Sequence, residues 1–246
     1  LLIHPGERLA ARPVLEALKK GVVTTIEIAR AAHGQIITEI ENAAVEKRIP
    51  VRRVEELPEV EGVVDQGVRA LARPPEVRGD LRVFLERLPQ NPPPLILMLD
   101  GILDPHNFGA ILRTAEGAGV TAVIIRERRQ APVTDTVVKA SAGAAYLIPI
   151  FHVPNLAQAV RLTKDAELWV VAASGEDGDI SAWDYDWNRP VLLIVGAEGA
   201  GFSTLLRRDA DTTVKIPMFG QIDSLNVSVA TGVLLFEAAR RRAEKT

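Results

Sequence analysis

The chain contains no cysteine, only two methionines and four histidines. The missing thiols exclude disulfide bonds, thiolate metal sites and a cysteine nucleophile, and they fit a reducing compartment. His4, His33, His106 and His152 are too scattered to form a ligand pattern, and neither H-E-x-x-H nor G-x-S-x-G occurs. No metal is therefore expected. Long hydrophobic runs are lacking too, since none approaches the roughly 20 residues of a membrane span, so no membrane partner is expected. The polar, amphipathic start "LLIHPGERLAARPVLEAL" does not read as a signal peptide, its non-Met first residue points to a trimmed start, and the expected location is cytoplasmic. A net charge of −3 rules out a broadly basic nucleic-acid binder, so any RNA binding must come from local patches. Few Met, no Cys and 16 Pro lean towards a heat-adapted source.

What is present is a chain of 246 residues, 47% apolar, enough for one large domain or two modest ones. Residues 1–73 read as a small α/β unit. Its expected elements are a helix over Pro13–Lys20, the strand "VVTTIEIA", a helix in "HGQIITEIENAAVEKR" with Ile36, Ile37, Ile40 and Ala44 on one face, and the strand "IPVRRV". Residues 74–94 fall in a proline-rich, charged stretch that reads as a semi-rigid linker holding one short helical piece. Residues 95–246 then alternate strand and helix patterns. The strands are "LILML", "TAVIIR", "YLIPI", "LWVVAA", "PVLLIV" and "TTVKIP", and the helices lie near 105–118, 134–143, 155–165, 203–209 and 225–243. Continuous apolar strands separated by helices predict a mostly parallel sheet with helices on both faces.

Within this half, "LDGILDPHNFGAILRTAEGAGV" (residues 99–120) opens a helix with Asp104 as cap and Pro105 at its first position. Phe108, Ile111, Leu112, Ala115 and Ala118 project on one face at 100° per residue. His106, Gly109, Ala110, Arg113 and Gly117 project on the other, with Asn107 at its shoulder. Small neighbours around a planar guanidinium suit the approach of a phosphate or carboxylate. An exposed arginine on an ordinary amphipathic helix has the same pattern, but two glycines inside a helix each cost about 1 kcal/mol relative to alanine.

"VLLIVGAEGAGFSTLLRR" is a strand, a glycine loop containing Glu198, and a helix. Its G-x-x-G-x-G order is not the dinucleotide order, and the Lys-Ser/Thr of a P-loop is missing. Glu198 would repel phosphates and suits a cationic or hydroxyl-bearing ligand, although a plain tight turn remains open. "IPMFGQIDSLNVSVATGVLLFEAARRR" ends in a helix for which Ser224 is the candidate cap. Val227, Ala230, Thr231, Leu234, Leu235 and Ala238 form one apolar face, and Val229, Val233 and Phe236 another. A terminal helix apolar on two sides suggests a homodimer. Arg126, Arg128 and Arg129, beside the end of a strand, make the basic patch best placed to face RNA.

Taken together, the 99–120 motif, "LLIVGAEGAGF" and the final "IPMFGQIDSLNVSVATGVLLFEAARRR" resemble the SpoU (TrmH-type) branch of the SPOUT RNA 2'-O-ribose methyltransferases, over residues 95–243. The stretches "KASAGAAYLIPI" and "EGVVDQGVRALA" resemble those members that methylate a guanosine in the P loop of 23S rRNA, departing at Asp65, where they carry His. The resemblance implies a SPOUT α/β fold with a deep trefoil knot, preceded by a small L30e-like α/β domain that helps bind RNA. It implies S-adenosylmethionine as cofactor, ribosomal RNA as partner and a homodimer. By motif position it makes Arg113, Asn107, Glu198 and Asn226 catalytic, and Gly196, Ile216, Leu225, Ser224, Gly201 and Met218 cofactor-binding. A guanidinium parts with its proton reluctantly, so anchoring a phosphate and stabilising a developing alkoxide suit Arg113 better than base duty. Another tRNA or rRNA ribose as target, a non-catalytic RNA-binding relic and a nucleotide-dependent oxidoreductase are the alternatives.

Overall fold

The computed structural model describes residues 14, 15, 17, 18, 21–57, 67–72, 79–175, 180–196, 204–222 and 224–244. They form two sheets. The smaller contains β1 (Val23–Ala29), β2 (Val51–Val54) and β3 (Val68–Ala72) in the order β2-β1-β3, with α1 (Gln35–Glu46) between β1 and β2. β1 runs parallel to β2 and antiparallel to β3. Ile26 and Ile28 of β1 are fully buried, as are Ile40 and Ala44 of α1, the face that the periodicity predicts. β3 is an addition to the elements expected from sequence. Its pattern "VRALA" is short, and it gains its identity by pairing with β1 rather than from local signals.

The larger sheet has seven strands in the order β6-β5-β4-β9-β7-β10-β8, all parallel. They are β4 (Leu95–Asp100), β5 (Ala122–Arg126), β6 (Ile150–Val153), β7 (Trp169–Ser174), β8 (Ile180–Ser181), β9 (Val191–Gly196) and β10 (Thr212–Lys215). Alternate residues point to opposite faces. Leu95, Leu97 and Leu99 join Leu193 and Val195 in one core with α3 (Pro105–Gly117) and α7 (Val227–Ala243). Ile96 and Met98 join Leu192 and Ile194 in the other, with α2 (Leu81–Leu85), α5 (Leu156–Asp165) and α6 (Thr204–Asp209). Helices thus cover both faces, as the unbroken apolar strands require. Leu81 and Leu85 are buried in that second core, so the helical piece of the proline-rich stretch packs on this sheet.

Two local expectations are corrected. "YLIPI" is not a strand: residues 144–146 form a 3-10 turn and β6 starts at Ile150. Ser141 Oγ accepts from the Ala145 N–H, and Gly143 adopts φ 84°, which turns the chain before it can extend. The same left-handed turn, with Ala142 at φ 49°, stops α4 (Asp135–Ala140) short of residue 143.

At the other end, Arg242 of α7 donates to the carbonyl oxygens of Pro93, Pro94, Trp187 and Arg189, fastening the chain's last helix to the entry of β4. Burial pushes this guanidinium's pKa down.

Gly109 does not lie on an open face. A Cβ there would sit 2.4 Å from Ala140 Cβ and 2.8 Å from the Val137 carbonyl oxygen, so α3 and α4 touch through this glycine. Gly117 is different, with only the Phe236 ring at 3.8 Å. Gly109→Ala is expected to lower unfolding free energy by about 1–3 kcal/mol through overpacking against backbone. Gly117→Ala should be neutral or stabilise by up to about 1 kcal/mol. Urea denaturation of both variants tests the contrast.

Candidate active site

The switch point of the large sheet lies where β4 meets β9, because β5 and β6 continue on one side and β7 on the other. Open α/β sheets hold ligands outside the carboxyl ends of strands at such a point. Asp100, the last residue of β4, is in register with Gly196, the last of β9. The first two sequence motifs therefore leave the sheet side by side, although 96 positions separate their strand ends.

From Asp100 the chain crosses a short loop into α3. Asp104 caps this helix, its carboxylate accepting from the N–H groups of His106 (3.0 Å) and Asn107 (3.2 Å), with Pro105 following as expected. The loop is held by the β5–α4 connection: the Ile102 N–H donates to Gln130 Oε1 at 3.0 Å, and Ala131 N donates to the Ile102 carbonyl at 2.8 Å. Sequence reasoning missed Gln130, and a lone glutamine in an arginine-rich loop has no local signature to betray it.

The third motif arrives from β10. Its helix begins at Val227, and the cap is Asn226, not Ser224. Asn226 Oδ1 accepts from Ser228 N at 2.9 Å and from Ser228 Oγ at 2.6 Å. The amide's other end donates Nδ2 to Asn107 Oδ1 at 3.2 Å. One side chain thus starts α7 and reaches across to the first turn of α3. Ser224 lies exposed two residues upstream, where its hydroxyl is outside the helix it was expected to cap.

Arg113, further along α3, is exposed and has no hydrogen bond or ion pair among the described residues. Its neighbour Thr114 is committed instead: Oγ1 donates to the Ala110 carbonyl, and its methyl lies 3.3 Å from where a Cβ on Gly232 of α7 would be. A free guanidinium on a helix wedged between α4 and α7 is available for an anion. Arg126 is not equally free, since it pairs with Asp100 at 3.2 Å, with side chains 30% and 13% exposed. The expected basic patch therefore reduces to Arg128 and Arg129, both exposed.

Of the remaining residues singled out from sequence, Gly196 ends β9, while Ile216 and Leu225 are half-buried and Met218 is exposed on the β10–α7 loop. Glu198 and Gly201 lie outside the described residues. Between Ile216 and Asn226 there is no Lys or Arg. A loop that offers half-buried apolar Ile216 and Leu225 and no cation suits a nucleoside carrying a positive sulfonium better than a polyphosphate. Among the described residues, no three His, Asp or Glu side chains gather as a metal site, and no helix is long and apolar enough to cross a membrane.

Asn226→Ala should cost about 1 kcal/mol in urea denaturation through loss of the cap. Asn226→Asp keeps an equally good cap but loses the Nδ2 donor to Asn107, so its stability should stay near that of the parent. Equal losses for the two variants would mean that the bridge, not the cap, carries the stability.

The chain is similar to known proteins over most of its length. Residues 94–236 match the SpoU rRNA Methylase family. The 23S rRNA (guanosine-2'-O-)-methyltransferase RlmB of Pseudomonas putida is 47% identical over 207 residues, 82% of this chain and 82% of that protein. Its counterpart from Escherichia coli is 41% identical over 185 residues, covering 74% of each. Among solved structures, the SpoU methyltransferase AviRb from Streptomyces viridochromogenes, in complex with AdoMet, has a TM-score of 0.74 at 26% identity, covering 96% of this chain and 90% of that one.

Proposed function

The chain belongs to the SpoU rRNA methylase family, and on that premise we propose that it transfers the methyl group of S-adenosylmethionine to the 2'-hydroxyl of a guanosine in the P loop of 23S rRNA. The observation that carries this reading is the Asn226–Asn107 hydrogen bond, which joins the third motif to the first at the sheet's switch point. The names of the relatives, which match over most of their own length, support ribosomal RNA as the substrate.

The cofactor supplies an electrophilic methyl on a sulfonium. When bound it would give up that methyl group to the 2'-oxygen and leave as a neutral thioether, with the hydroxyl proton passing to solvent. Positioning carries much of such an acceleration. The backbone at Gly196, Ile216, Met218, Ser224 and Leu225 would hold the cofactor, Gly201 joining them by its place in the second motif alone, and the stretch without cations avoids repelling the sulfonium. Arg113 anchors the phosphate beside the target ribose and stabilises charge growing on the 2'-oxygen. Asn107, with its Oδ1 occupied by Asn226, offers its own amide N–H groups to the substrate. Glu198 completes the catalytic set.

Three further parts belong to this reading. Residues 1–73 form an L30e-like RNA-binding domain, for which the separate three-stranded sheet speaks, and 74–94 link it to the methyltransferase domain 95–246. The chain after β9 passes through earlier segments as a deep trefoil knot, consistent with β9 lying between β4 and the earlier β7. Two chains pair through the outer face of α7, where Val229 is 51% and Phe236 53% exposed.

Arg113→Ala should lower transfer of labelled methyl to 23S rRNA by about a hundredfold or more, the scale seen when one transition-state donor is removed. Calorimetric affinity for S-adenosylmethionine should be retained, and an unchanged rate would remove the assigned role. Phe236→Glu places charge in the middle of the pairing face, and sedimentation should then report a monomer where the parent reports a dimer.

A further inference from the structure

Phe219 is 92% exposed. It lies on the β10–α7 loop that ends at Asn226, within the third motif. Among the other described aromatic side chains, Phe108 and Trp187 are fully buried, Phe84 lies 4.8 Å from the Phe151 ring, and Trp169 lies under the Arg189 guanidinium at 4.7 Å. A bare phenyl ring in water is unfavourable by about 25 cal/mol per Å² of apolar surface. Its neighbours Met218, Gly220 and Gln221 are exposed as well, and a Cβ on Gly220 would meet nothing nearer than 4.0 Å, so the ring stands clear of its own chain.

We propose that Phe219 is a stacking platform for a base of the substrate RNA, next to the nucleotide that receives the methyl group. This rests on the methyltransferase reading above. A base offers a flat apolar face of about the ring's own size, whatever its identity, and enzymes that act on RNA read unpaired nucleotides largely by stacking them on aromatic side chains. The site holds few cations that could grip RNA instead, since Arg126 is committed to Asp100 and residues 216–226 carry none. A second copy of the chain fits the ring less well. A stable interface buries about 1,200–2,000 Å² around a packed centre. The apolar stripe of α7 offers such a centre at helical spacing, whereas Phe219 stands on a loop with exposed Met218 and Ile222 beside it and Gly220 and Gln221 between them.

The test is steady-state methylation of a 23S rRNA fragment by the full chain. Phe219→Ala should raise KM for the RNA about tenfold, within the range given by loss of one aromatic–base stack, while kcat falls much less. Affinity for S-adenosylmethionine and sedimentation behaviour should match the parent. Phe219→Trp should recover the parental KM, and its added fluorescence should be quenched on titration with RNA. A parental KM in Phe219→Ala, or a KM that Trp does not recover, overturns the proposal. So does weakened cofactor binding, which would assign the ring to the cofactor, or a changed mass, which would assign it to a second copy. If the parent itself transfers no methyl group, the methyltransferase reading fails instead, and the two failures are distinct.

Discussion

The site depends on how closely α3 is gripped by its neighbours. On one side, Gly109 lets the backbone of α3 approach α4 to a distance that no side chain would permit. On the other, Thr114 faces Gly232 of α7, and the amide of Asn226 holds the first turn. A helix clamped in this way presents Arg113 from a rigid support, although the guanidinium itself is unrestrained by any partner among the described residues. Rigid support with a free functional group is what a positioning mechanism needs, because a long side chain on a mobile helix would spend its binding energy on ordering.

This arrangement changes the meaning of the small residues around the arginine. In sequence they look like clearance for a ligand. In the fold Gly109 is spent on helix packing, and only the far end of the helix, at Gly117, stays loosely covered. Periodicity places residues on faces but does not say whether an apparently empty face is open to solvent or occupied by another helix. The alternation of apolar strands with helices made the two-faced parallel sheet legible, because burial on both faces leaves a continuous apolar signature. The N-terminal cap of α3 was legible because an Asp followed by Pro is a local signal for a helix start. The cap of α7 was not: Ser224 and Asn226 are both good candidates by type, and the choice turns on Asn226 having a second partner, Asn107, 119 positions away. The strand β3 and the turn at 144–146 were missed because pairing across the sheet, in one case, and a left-handed glycine, in the other, outweigh local propensity.

The neighbourhood of Asp100 and Gly196 was likewise beyond local reading. Parallel partners are chosen by the whole topology, and insertion of β9 between β4 and β7 decides which loops become neighbours. The same insertion gives the Asp100–Arg126 pair its setting. Arg126 extends from β5 across the end of β4, one strand away from Gly196. A carboxylate paired so near the strand ends is partly neutralised, and the arginine that neutralises it is withdrawn from the surface that would meet RNA.

That withdrawal matters because the chain as a whole has no electrostatic surplus: 29 Lys and Arg stand against 32 Asp and Glu. Phosphate contacts provide most of the affinity of strongly basic nucleic-acid binders and make it steeply dependent on salt. In the proposed mechanism Arg113 serves the reaction, and of the arginines at the end of β5 only Arg128 and Arg129 remain exposed and uncommitted. Affinity then has to come from contacts that do not depend on charge, and stacking on an exposed ring is one that every nucleotide supports. A cation-poor motif thus meets two requirements at once: it leaves room for the positive charge of the methyl donor, and it hands recognition of the acceptor to apolar and amide groups that do not compete with that charge.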